Sequence, residues 1–228
     1  MKTLQFWFDP VSPYAYLAFE RLPQVLEGLS CAVSYRPVLF AGLLQHWGQL
    51  GPAEIPPKRD WTYRQVAWLA HRLDLPLVMP AVHPFNPLPL SRLLLAHGQA
   101  SAVPGAANRF ACETVLRRVW RSGEAAGETA QLEALAEALA PGQAQALLAA
   151  SRDETVKAML RSNTDQAVAA GLFGVPTVVV EGRAFWGLDG LELLAAFLRG
   201  DPWFEGPAWE AAARVPGGLV RRAAPGKP

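Results

Sequence analysis

Cysteine is scarce. Cys31 and Cys112 are the only two in 228 residues, too few and too far apart for a disulfide framework or a thiolate metal site, which points to a reduced, cytosolic setting. The four histidines, His46, His71, His83 and His97, have no ligand spacing and no accompanying cysteines or paired carboxylates, so no metal is expected. Charge of one sign is also missing. With 21 basic and 20 acidic side chains the net charge is +1, and no electrostatic footprint for nucleic acid or an anionic membrane exists. No apolar run reaches the roughly 20 residues of a membrane span. The N-terminus runs from one lysine straight into a strand-like segment, without the apolar core or cleavage site of a secretory signal. There is no phosphate-cradling glycine loop, and no G-x-S-x-G elbow surrounds any serine near the N-terminus, which disfavours a hydrolase triad.

What is present is apolar mass. At 51% hydrophobic residues the chain can bury a real core, as one large domain or a domain carrying an insertion. Residues 4–8 are aromatic-rich and strand-like, residues 14–29 carry a helical apolar stripe with Pro23 inside it, and residues 31–39 alternate as a second strand. Strand, helix, strand predicts a right-handed βαβ unit with parallel strands. From residue 40 to residue 171 the convincing periods are helical: 60–73 with Asp60 as cap, then 90–97, 106–121, 132–139, 142–149 and 153–170. The proline-rich stretch 79–89 between the first two reads as a rigid loop. Strands at 178–181 and 184–186 form a hairpin, a helix at 191–199 closes the unit, and residues 201–228 read as a tail whose last dozen residues are weakly ordered. The expected organisation is a discontinuous domain of residues 1–39 and 172–200, a helical insertion at 40–171, and the tail.

The stretch Phe8-Asp9-Pro10-Val11-Ser12-Pro13-Tyr14-Ala15 joins the first strand to the first helix. Ser12-Pro13 has the form of a helix cap followed by proline at the first helical position, so a hydroxyl sits where unpaired N–H groups and the helix dipole favour an anion, a thiolate included. Plain capping chemistry accounts for the same residues.

The order βαβ, helical insertion, ββα resembles the thioredoxin superfamily with the insertion of DsbA-type proteins. In that superfamily the first strand-to-helix loop usually carries Cys-x-x-Cys, and this chain has Ser12-Pro13-Tyr14-Ala15 there. A disulfide oxidoreductase is therefore disfavoured. Phe-Asp-x-x-Ser-Pro-Tyr, Gly-Val-Pro-Thr at 174–177 and Phe-Trp-Gly-x-Asp at 185–189, in that order, resemble the 2-hydroxychromene-2-carboxylate isomerase family, related to kappa-class glutathione transferases, over residues 3–199.

The resemblance implies an α/β, thioredoxin-like fold and glutathione as cofactor. Ser12 matches the family's active serine, a donor to the glutathione sulfur and not a nucleophile. Val175-Pro176 matches the cis-proline loop, whose valine backbone pairs with the cysteinyl residue of glutathione. In the segment Trp186-Gly187-Leu188-Asp189, Asp189 matches the acceptor of the γ-glutamyl amino group and the Leu188 backbone the holder of its carboxylate; Asp189 can equally be a helix cap. Lys58 matches a lysine near the glycyl end, though by itself it reads as a surface charge. Gln49 stands where relatives often have asparagine. Tyr14, His83, Phe85 and Asn86 are candidates for the substrate side, with His83 a possible proton shuttle or simply a packing residue. Two departures stand out: many relatives have arginine where this chain has Gly190, and a polar residue where it has Leu188.

The activity so implied is glutathione-dependent isomerisation of 2-hydroxychromene-2-carboxylate or a related unsaturated α-keto acid by reversible thiolate addition, in a cytoplasmic homodimer. A kappa-like transferase and a non-catalytic thiol- or peptide-binding module are the alternatives.

Overall fold

The structure, a computed structural model, describes residues 1–100, 103–216 and 218. Four strands form one sheet: β1 (Lys2–Phe8), β2 (Cys31–Pro37), β3 (Thr177–Val180) and β4 (Arg183–Trp186), in the order β2-β1-β3-β4. β1 and β2 run parallel, with Lys2 opposite Cys31 and Phe8 opposite Pro37, joined by α1 (Pro13–Val25). β3 lies antiparallel to β1, and β4 antiparallel to β3 as the predicted hairpin. The period-2 alternation of β1 sorts its side chains: Leu4, Phe6 and Phe8 enter the main core, while Trp7 joins Val38, Leu43, Ala167, Leu172 and Val175 on the opposite face.

Between β2 and β3 come α2 (Phe40–Trp47), α3 (Pro56–Arg72), α4 (Leu88–His97), α5 (Arg109–Arg121), α6 (Thr129–Leu139), α7 (Ala144–Ala150) and α8 (Glu154–Ala169); α9 (Gly190–Leu198) and α10 (Pro207–Ala213) follow β4. The insertion shares the core of the sheet. Phe6, Phe8 and Phe19 belong to the same buried cluster as Leu93, Val115 and Trp120.

Several boundaries differ from expectation for local reasons. α1 stops at Val25, with Pro23 in its last turn, although Leu26 and Leu29 still pack on the core. β2 ends at Pro37, which has no N–H to continue the ladder. α3 starts at Pro56 and not at Asp60: Pro56-Pro57 supplies the favoured first-turn prolines, and Asp60 is exposed within the helix. α5 starts at Arg109 behind Asn108, whose Oδ1 accepts from Ala111 N at 2.8 Å. The expected tail is partly folded: Phe204 and Trp209 pack on Phe185 at ring distances of 6.3 and 6.1 Å, with the Arg183 guanidinium over Phe197, Phe204 and Trp209. The expectation of weak order at the end of the tail falls outside the described residues, Gly218 and those up to residue 216 apart. Among the described residues no helix is long and apolar enough to cross a membrane, and no group of three or more His, Cys, Asp or Glu could hold a metal ion.

Candidate functional site

Ser12 caps α1. Its Oγ accepts from Ala15 N at 3.2 Å, Pro13 occupies the first helical position, and the residue is 7% exposed. Among the described residues the hydroxyl proton has only a distant acceptor, Val175 O at 3.5 Å, the outer limit of a hydrogen bond. A donor with little to hold it thus stands at the positive end of a helix of 13 residues, where an anion is favoured.

The loop before Ser12 is fixed at every polar backbone atom between Pro10 and Ser12. Trp120 Nε1 donates to Pro10 O at 3.0 Å, and Val11 N donates to Asp9 Oδ1 at 3.0 Å. His83 Nε2 lies 2.8 Å from Val11 O, and Ser12 N donates to Asp9 O at 3.0 Å. Because Val11 O can only accept, His83 Nε2 carries a proton. Its Nδ1 lies 2.7 Å from the Tyr63 hydroxyl, which is also 2.9 Å from His83 O. Both imidazole nitrogens are therefore occupied. Burial lowers the His83 pKa, opposed by its bond to Val11, so the ring is neutral near pH 7. Asp9 is 0% exposed, and its Oδ2 accepts from Phe40 N, the first residue of α2, at 2.9 Å. Burial raises its carboxyl to about 6 despite the bonds from Val11 and Phe40, which pull the other way.

Facing Ser12 is the loop before β3. The Val175–Pro176 peptide is cis, as is His83–Pro84. Pro176 O accepts from Gly187 N at 2.8 Å, which ties the loop to the Trp186–Asp189 segment, and Thr177 Oγ1 donates to Gly174 O at 2.8 Å. The Val175 N–H donates to no acceptor among the described residues. The Trp186 indole lies over Gly174, where an added β-carbon would meet Nε1 at 2.5 Å, and packs at a tilt against the Phe173 ring, centroids 4.9 Å apart. Any larger residue at 174 would displace that indole. Asp189 is exposed at the start of α9 and makes no side-chain cap, although it holds the cap position. Its charge reaches Tyr14: burial first, then Asp189, raises the Tyr14 pKa. The Tyr14 hydroxyl donates to Gln65 Oε1 of α3 at 2.6 Å. At Gly190, where arginine is usual in the family resembled, a β-carbon would stand 3.1 Å from the Phe185 carbonyl carbon, so a side chain there requires the hairpin to shift.

The structure thus brings Ser12, Val175, Pro176 and Gly187 together, with Tyr14 and Asp189 across from one another. Lys58 is exposed and forms no ion pair among the described residues; it lies on the α3 stripe of Thr62 and Gln65, the latter holding Tyr14. Gln49 is exposed just past α2, its N–H on Leu44 O at 2.9 Å, with no contact tying its side chain to Ser12. Leu188 and Phe85 pack against the core, and Asn86 Oδ1 accepts from Leu88 N at 3.1 Å ahead of α4. Asp9, Trp120, Tyr63 and Gln65 had no assigned role from sequence. For Asp9 a signal existed, a carboxylate between a strand and a proline-rich turn; for the others the contacts span many residues of chain.

A sheet of this order with a helical insertion, a cis-proline loop and a serine at the head of the first helix defines a thioredoxin-fold protein without the redox pair. Residues 3–199 match the DSBA-like thioredoxin domain, and the chain belongs to that family, alongside 2-hydroxychromene-2-carboxylate isomerases and kappa-class glutathione transferases. It is 30% identical over 212 residues to rat (Rattus norvegicus) glutathione S-transferase kappa 1, spanning 89% of this chain and 92% of the relative. To the 2-hydroxychromene-2-carboxylate isomerase of Sphingobium xenophagum it is 29% identical over 199 residues, 86% of this chain and 98% of that one. A solved 2-hydroxychromene-2-carboxylate isomerase structure shares the fold with a TM-score of 0.74 at 23% identity, over 89% of this chain and 98% of the other.

Proposed function

We propose that the protein is a glutathione-dependent isomerase of 2-hydroxychromene-2-carboxylate or a related unsaturated α-keto acid of aromatic degradation, working in the cytoplasm as a homodimer. The observation that carries this reading is the buried Ser12 hydroxyl at the head of α1, its proton held among the described residues only by Val175 O at 3.5 Å. Glutathione, when bound, supplies a sulfur nucleophile that adds reversibly to an activated double bond. The chain's residues do the rest. Ser12 turns its proton to the sulfur, and with the α1 dipole it favours thiolate over a thiol whose ordinary pKa is about 8.5. Val175 offers an unused backbone N–H as an added-strand contact. Asp189, exposed and without an ion pair among the described residues, receives the γ-glutamyl amino group beside the Leu188 backbone, with Trp186 and Gly187 completing that wall. Lys58 and Gln49 serve the glycyl end. Tyr14, Phe85, Asn86 and His83 border the substrate, His83 as a neutral ring and not a free proton shuttle.

A kappa-like transferase is the second reading, favoured by the 30% identity to rat glutathione S-transferase kappa 1. Turnover with glutathione separates the two: the isomerase leaves the glutathione concentration unchanged while the substrate isomerises, and stoichiometric consumption makes the protein a transferase. Ser12→Ala is expected to lower glutathione-dependent turnover by about a hundredfold. A Ser12→Ala protein with full glutathione-dependent turnover rejects the Ser12 mechanism in both readings, and a wild type that binds glutathione but turns over nothing is a thiol-binding module.

A further inference from the structure

All four polar groups of the two peptide units between Pro10 and Ser12 are engaged, and three of the four partners are side chains brought from elsewhere or buried beneath the loop: Trp120, His83 and Asp9. Such complete pairing is the rule in cores, whereas loops ordinarily leave these groups to water. We propose that Asp9 and His83 are positioning residues for Ser12, holding the N–H and C=O of Val11 from opposite sides so that the hydroxyl one residue on is presented to its ligand without searching. The inference rests on the glutathione reading for what that ligand is, and on geometry alone for the clamp.

The clamp reaches further on both sides. Asp9 Oδ2 holds Phe40 N, so one buried carboxylate fixes both the Ser12 loop and the head of α2. His83 is held in turn by Tyr63 of α3 and packs on Trp120 of α5 at a ring distance of 5.5 Å. The loop is therefore set by three helices of the insertion.

A protonated Asp9 cannot serve both N–H groups equally, since one oxygen then carries a hydrogen of its own. Among the described residues no opposite charge comes close enough to hold it ionised. Its own loop contributes only Ser12. β2 contributes Arg36, whose guanidinium goes to Pro104 O at 2.9 Å and Gln166 Oε1 at 2.7 Å; α2 contributes His46 in its last turn, and the insertion contributes His83 and Tyr63. Asp9 has no ion-pair partner among the described residues. Its carboxyl, at about 6, makes the clamp pH-dependent in an accessible range, firm above that pH and loosened below it.

The test is amide NMR on the full chain without glutathione, from about pH 4.5 to about pH 8, on the wild type, Asp9→Asn and His83→Phe. The Val11, Ser12 and Phe40 amides are expected to titrate together near pH 6 in the wild type, and the step to vanish in Asp9→Asn. Ser12 amide exchange rises about tenfold in either variant. A second arm follows the thiolate absorbance of added glutathione. Asp9→Asn is expected to cut the thiolate fraction near neutral pH by about tenfold, with a smaller change in total binding. Flat wild-type amide profiles overturn the proposal even if neither variant folds, and so does an unchanged thiolate fraction in a folded Asp9→Asn protein. Co-titrating amides in a wild type that binds no glutathione uphold the clamp and reject the glutathione reading instead.

Discussion

Ser12 does two jobs with one oxygen: a lone pair caps α1 through Ala15 N, and the proton remains available to a ligand. Neither job interferes with the other, because a hydroxyl accepts and donates at once. Alanine would forfeit both, at about 1 kcal/mol of helix stability for the cap. Asp9, three residues earlier, pays in stability for its place. Its folded pKa of about 6 lies above the ordinary 3.8, so the folded state holds a proton that the unfolded chain has released between those values. Stability contributed through this group therefore falls as pH rises from about 4 to about 7, by on the order of 3 kcal/mol. Urea unfolding of wild type and Asp9→Asn checks the sign. The wild type is expected to lose ground to the variant as pH rises over that window, and a difference that is flat or moves the other way contradicts the burial of the charged form.

At the scale of elements, half of the contacts that fix the first strand-to-helix loop come from outside it, those of Trp120 and His83. Trp120 of α5 reaches Pro10 O, 110 residues away in sequence. Trp120→Phe keeps the ring in the core but leaves that buried carbonyl without a donor. The expected loss is about 1–3 kcal/mol by urea unfolding, with faster exchange at Val11; a loss near zero means that the indole N–H is dispensable. Remote control of this kind explains what could be read in the chain and what could not. β1, α1, the hairpin of β3 and β4, and the cap at Ser12 were readable because alternation, helical period and Ser-Pro are local signals. α2 was not: its cap residue is Leu39, and its first N–H is satisfied by Asp9, 31 residues earlier. The start of α3 was readable in principle from Pro56-Pro57, yet Asp60 offered the more familiar cap. The meeting of Ser12 with Val175 was accessible only through family resemblance, since 163 residues of chain separate them.

For the whole molecule, sheet and insertion are joined in one core, so the site lies between parts that cannot move far apart without unpacking Phe8, Trp120 and their neighbours. On the other side of the sheet the cluster of Trp7, Leu43 and Val175 backs the cis-proline loop, so both walls of the site rest on packed side chains. The C-terminal aromatic cap of Phe204 and Trp209 over Phe185 extends the same logic to the hairpin that leads into Trp186 and Asp189. That cap is hard to read in the sequence, because its composition is rich in Pro, Gly and Ala and only the spacing of Trp203, Phe204 and Trp209 points to packing. Such rigidity suits the proposed function, in which the site presents one donor to one sulfur. The measurement that bears most directly on this account is ultraviolet difference absorbance of glutathione titrated with the protein near neutral pH, wild type beside Ser12→Ala. The account predicts a thiolate band in the wild type that is lost in the variant; a band of equal size in both, or none in either, contradicts it.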